Sequence, residues 1–210
     1  METEQPTIEF DQAKAILRVA YLLAALDGNI CEQEQAEFRE LMKRLFGEQY
    51  TDVSVITYLE EILDEAKKLI ELRAFYPDES ELVGVFVAKV KPLLKEIAND
   101  VSVVRRAFAI WICICCADDD YSEIERAAMK QLQMLASSNS LFESFGGNGG
   151  STFISGVSDD FLLDVEKRIK TMRTLYEKSI KADNPYAKQN YKDQYDFEVE
   201  ELDEFVKKSK

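Results

Sequence analysis

The amino-acid sequence predicts an all-α protein that folds as a single helical bundle of about seven helices. Apolar residues recur at helical spacing, three to four positions apart, through most long segments of the chain. Four prolines and eight glycines in 210 residues leave long stretches that no helix breaker interrupts. A hydrophobic content of 46% is enough for one substantial core, so we expect one domain rather than several.

The first two helices are predicted to form a hairpin. Residues 10–25 carry an apolar stripe, and residues 32–46 repeat the pattern after a short acidic break. Gly47 follows the second segment and supplies a helix stop. The stripes consist of Ile16, Val19, Leu22 and Leu23 in the first helix, and of Phe38, Leu41, Met42 and Leu45 in the second.

Four more helices are predicted before residue 137. Pro92 falls inside one of them and is expected to break or kink it. Asp100 can cap a very apolar helix, and Ser122 can begin the partner of that helix, so these two segments form a second hairpin. The predicted segments are residues 54–72, 79–97, 101–117 and 122–136.

The C-terminal part is predicted to be an extension of this core. A stretch rich in Ser, Gly and Asn is typical of a loop, and a helix over residues 158–180 follows it. Asn184-Pro185 is expected to interrupt the chain, with a short charged helix over residues 196–208 in an otherwise charged tail. We therefore divide the chain into a core, a loop and an extension, at residues 1–137, 138–157 and 158–210.

Charge and composition limit the classes of partner. The formal net charge is −14, which repels nucleic-acid backbones and attracts cations or basic partners. No apolar run reaches the ~20 residues of a membrane span, and the acidic N-terminus is unlike a signal peptide. Cys113, Cys115 and Cys116 crowd into one apolar segment, as reduced core thiols of a cytosolic protein would. We expect a cytoplasmic protein that binds no nucleic acid and does not insert into membranes.

One short acidic phrase occurs twice, once in each predicted hairpin. Residues 26–34 and 117–125 each follow an apolar helix and precede an amphipathic one, and they align without a gap because Asp118 lies 91 positions after Asp27. If the hairpins pack about a pseudo-twofold axis, the carboxylates of both phrases face one another. The candidate site residues are Asp27, Glu34, Asp118 and Glu125.

Two interpretations of these acids compete. Ser122 and Glu125 match the S-x-x-E capping box, in which the glutamate bonds its own main chain. Cys31 is a poor cap, so capping alone does not explain the first copy. Clustered carboxylates without histidine favour Ca²⁺, and after it Mg²⁺, over zinc. Arg105 and Arg106 offer a metal-free alternative, because they could neutralise the acids of the first phrase.

The paired phrases resemble the TerB-like tellurite-resistance domain family. The likeness lies in an apolar helix, an L-D-G or A-D-D turn and acids at the next helix start, and it covers roughly residues 10–135. It implies an all-helical, cytoplasmic stress-response module that binds metal through Asp27 with Glu34 and Asp118 with Glu125, alongside a membrane-associated protein partner. Asp119 departs from the family pattern by replacing a glycine.

No catalytic residue and no organic cofactor are predicted. Gly146 to Ser151 is not a P-loop, because no Gly-Lys-Ser/Thr sequence follows it. We therefore expect a non-enzymatic module that binds a divalent cation and a protein partner. The alternatives are a metal-free helical scaffold in which the acids are caps and, less favoured, a hydrolase with a metal-activated water.

Overall fold

A computed structural model of the protein describes residues 8–76, 78–98, 100–118, 121–137 and 157–208, and eight α-helices account for most of them. The predicted all-α bundle is confirmed. None of the described helices combines the length and apolarity that a bilayer span requires. The helices are α1 Phe10–Ala24, α2 Glu32–Phe46, α3 Val53–Arg73, α4 Glu79–Ile97, α5 Val101–Cys115, α6 Glu123–Ser137, α7 Asp159–Lys181 and α8 Pro185–Lys207.

Helices α1 and α5 form the centre of the bundle. Ten of the fifteen residues in each are buried, because both segments are apolar on more than one face. Helix α1 contacts α2, α3, α4, α5 and α6, and α5 contacts α2, α7 and α8 as well as α1. The indole Nε1 of Trp111 on α5 donates to the carbonyl oxygen of Ile16 on α1 at 3.0 Å, in the buried core. The first helices of the two predicted hairpins therefore pack directly on each other.

Short polar side chains begin the helices where the sequence places them. The predicted cap Asp100 accepts the N–H of Ser102 through Oδ1 at 2.7 Å. The hydroxyl of Ser158 accepts the N–H of Phe161 at 3.1 Å and starts α7. Each bond satisfies one of the N–H groups that the first turn of a helix leaves without an internal acceptor.

Pro92, predicted to break or kink its helix, does not break it. Helix α4 continues through Pro92 to Ile97. Proline removes the bond to the carbonyl four residues earlier, which belongs to Ala88. Both Pro92 and Ala88 are exposed, so water can bond that carbonyl and the helix tolerates the proline.

The predicted start of the last helix is also wrong. Helix α8 begins at Pro185, not at residue 196, and runs to Lys207. Asn184 accepts the N–H of Tyr186 through Oδ1 at 2.8 Å, and proline suits the first helical position because its ring presets φ and no N–H is needed there. Asn184-Pro185 does separate α7 from α8 as predicted, but it starts a long helix that packs antiparallel along α7.

Arg105 holds the end of α8 against the centre of the bundle. Its guanidinium donates from Nε to the carbonyl of Val206 and from Nη2 to that of Phe205, both at 2.9 Å. It also lies 4.3 Å from the ring centre of Phe161, and only 8% of Arg105 is exposed. These contacts anchor α8, so they do not support the suggested role of Arg105 as a counter-charge for the first acidic phrase. The predicted Gly/Ser-rich loop, apart from buried Val157, lies outside the described residues.

The central hydrogen bond generates a stability prediction. Trp111→Phe removes the indole donor to Ile16 and leaves a cavity, so the free energy of unfolding should fall by about 2–4 kcal/mol. Urea unfolding followed by far-UV circular dichroism measures the change. Tyr58→Phe is the matched control, because it removes a half-buried hydroxyl that donates to the carbonyl of Lys14 at 2.9 Å without touching the α1–α5 contact. A loss no greater than that of the control would contradict the central role assigned to this bond.

Candidate functional site

The first acidic turn is a 3₁₀ turn followed by a left-handed glycine. The chain leaves α1 through residues Ala25–Asp27 and then adopts φ +100° at Gly28. Such a φ is in the region that favours glycine. The carboxylate of Asp27 accepts the N–H of Asn29 through Oδ1 at 2.9 Å and closes the turn locally.

A capping box joins this turn to α2. The N–H of Cys31 donates to Oε2 of Glu34 at 2.8 Å, and the N–H of Glu34 donates to Sγ of Cys31 at 3.4 Å. Cys31, which the sequence indicates to be a poor cap, does cap this helix, because its thiol sulfur takes the place of the usual hydroxyl oxygen. Sulfur is a weak acceptor, so the strong half of the box is the bond that the glutamate accepts.

The second turn contains the capping box predicted for it. The N–H of Ser122 donates to Oε2 of Glu125 at 2.9 Å, the Ser122 hydroxyl donates to the same oxygen at 2.7 Å, and the N–H of Glu125 donates back to that hydroxyl at 3.4 Å. Residues 119 and 120 of this turn lie outside the described residues. Glu34 and Glu125 thus have the same local role at the starts of α2 and α6.

Both glutamates are buried, which a cap on the surface of a helix does not require. Glu34 is 2% exposed and Glu125 is 1% exposed. Burial raises the pKa of each to about 7, because removing a carboxylate from water disfavours its charged form. The negative charges of Asp27 and Glu125 raise the pKa of Glu34 further, and that of Asp27 does the same for Glu125. The two glutamates therefore lie within electrostatic reach of each other and of Asp27.

Packing explains how three of the four predicted residues come together. The turn that holds Asp27 contacts α6, the helix that begins with the Glu125 capping box. Asp27, Glu34 and Glu125 therefore lie near one another at a seam between the two hairpins, which we call the acidic seam. Asp118 lies in the matching position of the second turn and is half-buried, but it is not one of the charges that dominate the pKa values of this group.

The acidic seam also includes a thiol that the sequence reasoning assigned only to the core. The Cys115 side chain lies close to Glu125, and burial together with the charges of Glu125 and Glu34 raises the pKa of this thiol well above its ordinary value. All four cysteines are free, and burial also raises the pKa of Cys113 to about 12. The thiols of Cys113 and Cys115 are accordingly protonated at neutral pH, and the low thiol pKa typical of redox-active sites is absent at both.

Two arginines that the sequence reasoning missed contact the acidic turns. Arg73 donates to the carbonyl of Leu26, directly before Asp27, and Arg173 donates to the carbonyl of Ala117, directly before Asp118. The arginines are 100 positions apart and the acceptors only 91, so a gapless alignment of the repeat does not pair them. The only signal in the sequence for these contacts was an arginine in the third helix of each half. Its role can be recognised only when the packing of the helices is known.

Comparison of the chain with protein-family models, with curated proteins and with solved structures found no match. Within the described residues, no group of three or more His, Cys, Asp or Glu side chains is arranged so that it could hold a metal ion.

The raised pKa values predict how stability depends on pH. The folded protein keeps protons on Glu34 and Glu125 up to about pH 7, whereas the unfolded chain loses them near pH 4.5. Unfolding therefore releases protons in this window, and the free energy of unfolding should fall as pH rises from 4.5 to 7, by on the order of 2–3 kcal/mol per carboxyl. Chemical denaturation at a series of pH values in chelator measures the slope.

Glutamine variants test the assignment of that slope. Glu34→Gln and Glu125→Gln keep the acceptor oxygen of the cap but do not titrate, so each should flatten the profile and be no less stable than the parent above pH 7. The control pair is Glu32→Gln with Glu123→Gln, which changes exposed acids that are likewise 91 positions apart. Profiles of the seam variants that run parallel to the parent profile would show that the two buried carboxyls do not titrate as assigned.

Alanine substitutions at Gly28, in the first turn, and at Gly84, in α4, are predicted to change the stability in opposite directions. Gly28→Ala should destabilise by about 1–2 kcal/mol, because an L residue is strained at φ +100° and the added Cβ lies 3.1 Å from Cδ of Arg73. Gly84→Ala, inside α4 with open space around its Cβ, should instead stabilise by about 0.5–1 kcal/mol. Thermal unfolding of both variants measures the difference, and a neutral Gly28→Ala would exclude a conformational requirement in this turn.

Proposed function

We propose that this protein is a non-enzymatic helical module that binds a divalent cation at the acidic seam, with Ca²⁺ favoured over Mg²⁺. One observation supports the proposal above all others. Glu34 and Glu125 come from different hairpins, are each almost fully buried, and share their surroundings with Asp27. Buried carboxyls within electrostatic reach of other acids need either protons or a cation to offset their mutual repulsion.

The donor chemistry of the seam fits a hard cation. Carboxylate oxygens are the ligands that Ca²⁺ and Mg²⁺ prefer, and no histidine occurs in the chain. Each glutamate accepts its capping bonds through Oε2, but an ionised carboxylate has about four lone-pair sites, so capping leaves room for a cation. Among the described residues no three acids already form such a ligand group, so cation binding would have to bring Glu34, Glu125 and Asp27 closer together. Main-chain carbonyls, water and Asp118 from the second turn would complete the six to eight oxygen ligands that Ca²⁺ takes.

The TerB-like resemblance adds a biological context to this proposal. It suggests a cytoplasmic protein of stress or tellurite resistance that works with a protein partner, one associated with the membrane. The net charge of −14 supports a partner with a basic surface, because complementary charge speeds and orients association. Nucleic acid is disfavoured as a partner for the same electrostatic reason.

A metal-free scaffold is the second candidate, and a specific observation favours it. Both capping boxes are closed, so each glutamate already accepts main-chain N–H groups without a metal. In this alternative the carboxyls stay protonated in the folded protein, and the seam serves only to fix the packing of the two hairpins. Protons and a cation compete for the same oxygens, so pH separates the two candidates.

Thermal unfolding with and without cation tests the proposal. At about a hundred times its dissociation constant, a ligand of the native state stabilises by about 2.7 kcal/mol. For a chain of this length, that corresponds to a rise in Tm of roughly 5–10 °C. We expect such a rise with millimolar Ca²⁺ over chelator at pH 8, and a smaller one at pH 6, where protons occupy the glutamates.

Paired variants assign the effect to the seam. Asp27→Asn with Asp118→Asn, and separately Glu34→Gln with Glu125→Gln, should abolish the Ca²⁺-dependent rise in Tm. Glu32→Gln with Glu123→Gln should keep it, because these exposed acids lie one helical position after Cys31 and Ser122 and point away from the buried seam. Equal Tm values in Ca²⁺, in Mg²⁺ and in chelator for the parent protein would favour the metal-free scaffold.

A further inference from the structure

Arg73, at the end of helix α3, contacts the first acidic turn. Its Nη1 donates to the carbonyl oxygen of Leu26 at 2.6 Å, and its side chain crosses over Gly28, where an added Cβ would lie 3.1 Å from Cδ. Its Nη2 lies 3.6 Å from Oε1 of Glu79 at the start of α4. Both of these partners, Leu26 and Glu79, therefore lie in the first half of the chain.

Arg173 has the equivalent place in the second half. It lies on α7, the third helix after the start of the second half, and its Nη2 donates to the carbonyl oxygen of Ala117. Leu26 and Ala117 are 91 positions apart, so both arginines bond the same carbonyl of the repeated phrase. Nη1 of Arg173 lies 3.7 Å from Oε1 of Glu37, which belongs to α2 in the first half.

The electrostatics of helix C-termini explain what these two arginine contacts do. The carbonyls at the C-terminal end of a helix carry partial negative charge, and an aspartate directly after them is unfavourable unless a cation compensates it. A guanidinium that bonds the last carbonyl supplies that charge and fixes the direction in which the chain leaves the helix. In both halves the aspartate directly follows the bonded carbonyl in the chain, and the capping box comes a few residues later.

We propose that Arg73 and Arg173 are the positioning residues of the two acidic turns, and that Arg173 couples one turn to the other. The coupling arises because Arg173 contacts the second turn at Ala117 and helix α2 at Glu37, one helical turn after Glu34. The value of this arrangement for cation binding rests on the proposed function. The positioning and the coupling do not, since both exist in the metal-free protein and are measured there.

Amide hydrogen exchange in chelator tests the inference at single residues. The reporters are the N–H groups of Cys31 and Ser122, which Glu34 and Glu125 accept, and the indole N–H of Trp111 reports opening of the whole core. Arg73→Gln should speed exchange about tenfold at Cys31 and leave Ser122 unchanged, because a lost charge-assisted bond of this kind corresponds to about a factor of ten. Arg173→Gln should speed exchange about tenfold at Ser122 and about twofold at Cys31.

Further variants separate positioning from general loss of stability. Glu37→Gln removes only the link to α2, so it should speed exchange about twofold at Cys31 and leave Ser122 unchanged. Arg173→Lys should restore part of the protection at Ser122 but not the coupling, because a single ammonium lacks the two-pronged reach of a guanidinium. The control Arg18→Gln breaks a half-buried pair with Glu65 between α1 and α3 and should leave the difference between the two reporters unchanged.

Defined outcomes would overturn the inference. Equal acceleration at Cys31, Ser122 and the Trp111 indole in both arginine variants would show a general loss of stability and no positioning. Unchanged exchange at Cys31 in both Arg173→Gln and Glu37→Gln would exclude the coupling. Because these measurements use chelator, they can succeed when Ca²⁺ fails to raise Tm, and they can fail when it does.

Discussion

The architecture depends on the burial of two carboxyl groups where the halves of the bundle meet. Glu34 and Glu125 each begin a helix, and each is almost completely removed from water. A buried carboxylate beside another is unfavourable, so this seam has to contain a proton, a cation or both. The capping bonds at Cys31 and Ser122 hold the two carboxyl groups in place, but they supply neither the proton nor the cation that would offset the repulsion. Any function of the seam follows from how the requirement is met.

The two halves position their acids in the same way. In each half a central apolar helix ends in an acidic turn, and a capped helix follows that turn. An arginine on the third helix then donates to the carbonyl directly before the aspartate. Helices α1 and α5, packed on each other through Trp111 and Ile16, bring the two turns to the same region of the bundle. The equivalence therefore extends past the hairpins to α3 and α7, although the sequence repeat is gapless only over the hairpins.

Burial and main-chain hydrogen bonds fix the state of the groups in the acidic seam. The pKa of its Cys115 thiol is raised, and its two glutamates accept main-chain N–H groups, so none of these groups has the features of an activated nucleophile. A net charge of −14 on the whole chain also attracts cations to the protein surface before any particular site selects one.

Periodicity and local chemistry by themselves determined the helices, most of their starts and the Ser122 capping box, because each depends on residues a few positions apart. They misplaced the start of α8 and left open whether Pro92 breaks or only kinks its helix, because the effect of a proline depends on its position and on solvent exposure. They also undervalued Cys31 as a cap, because the bond that matters there is accepted by Glu34. Burial of the two glutamates, their meeting with Asp27, the anchoring role of Arg105 and the contacts of Arg73 and Arg173 were decided only by the tertiary structure. All of these depend on which helices pack together, and packing places residues up to about a hundred positions apart in contact, which no local pattern encodes.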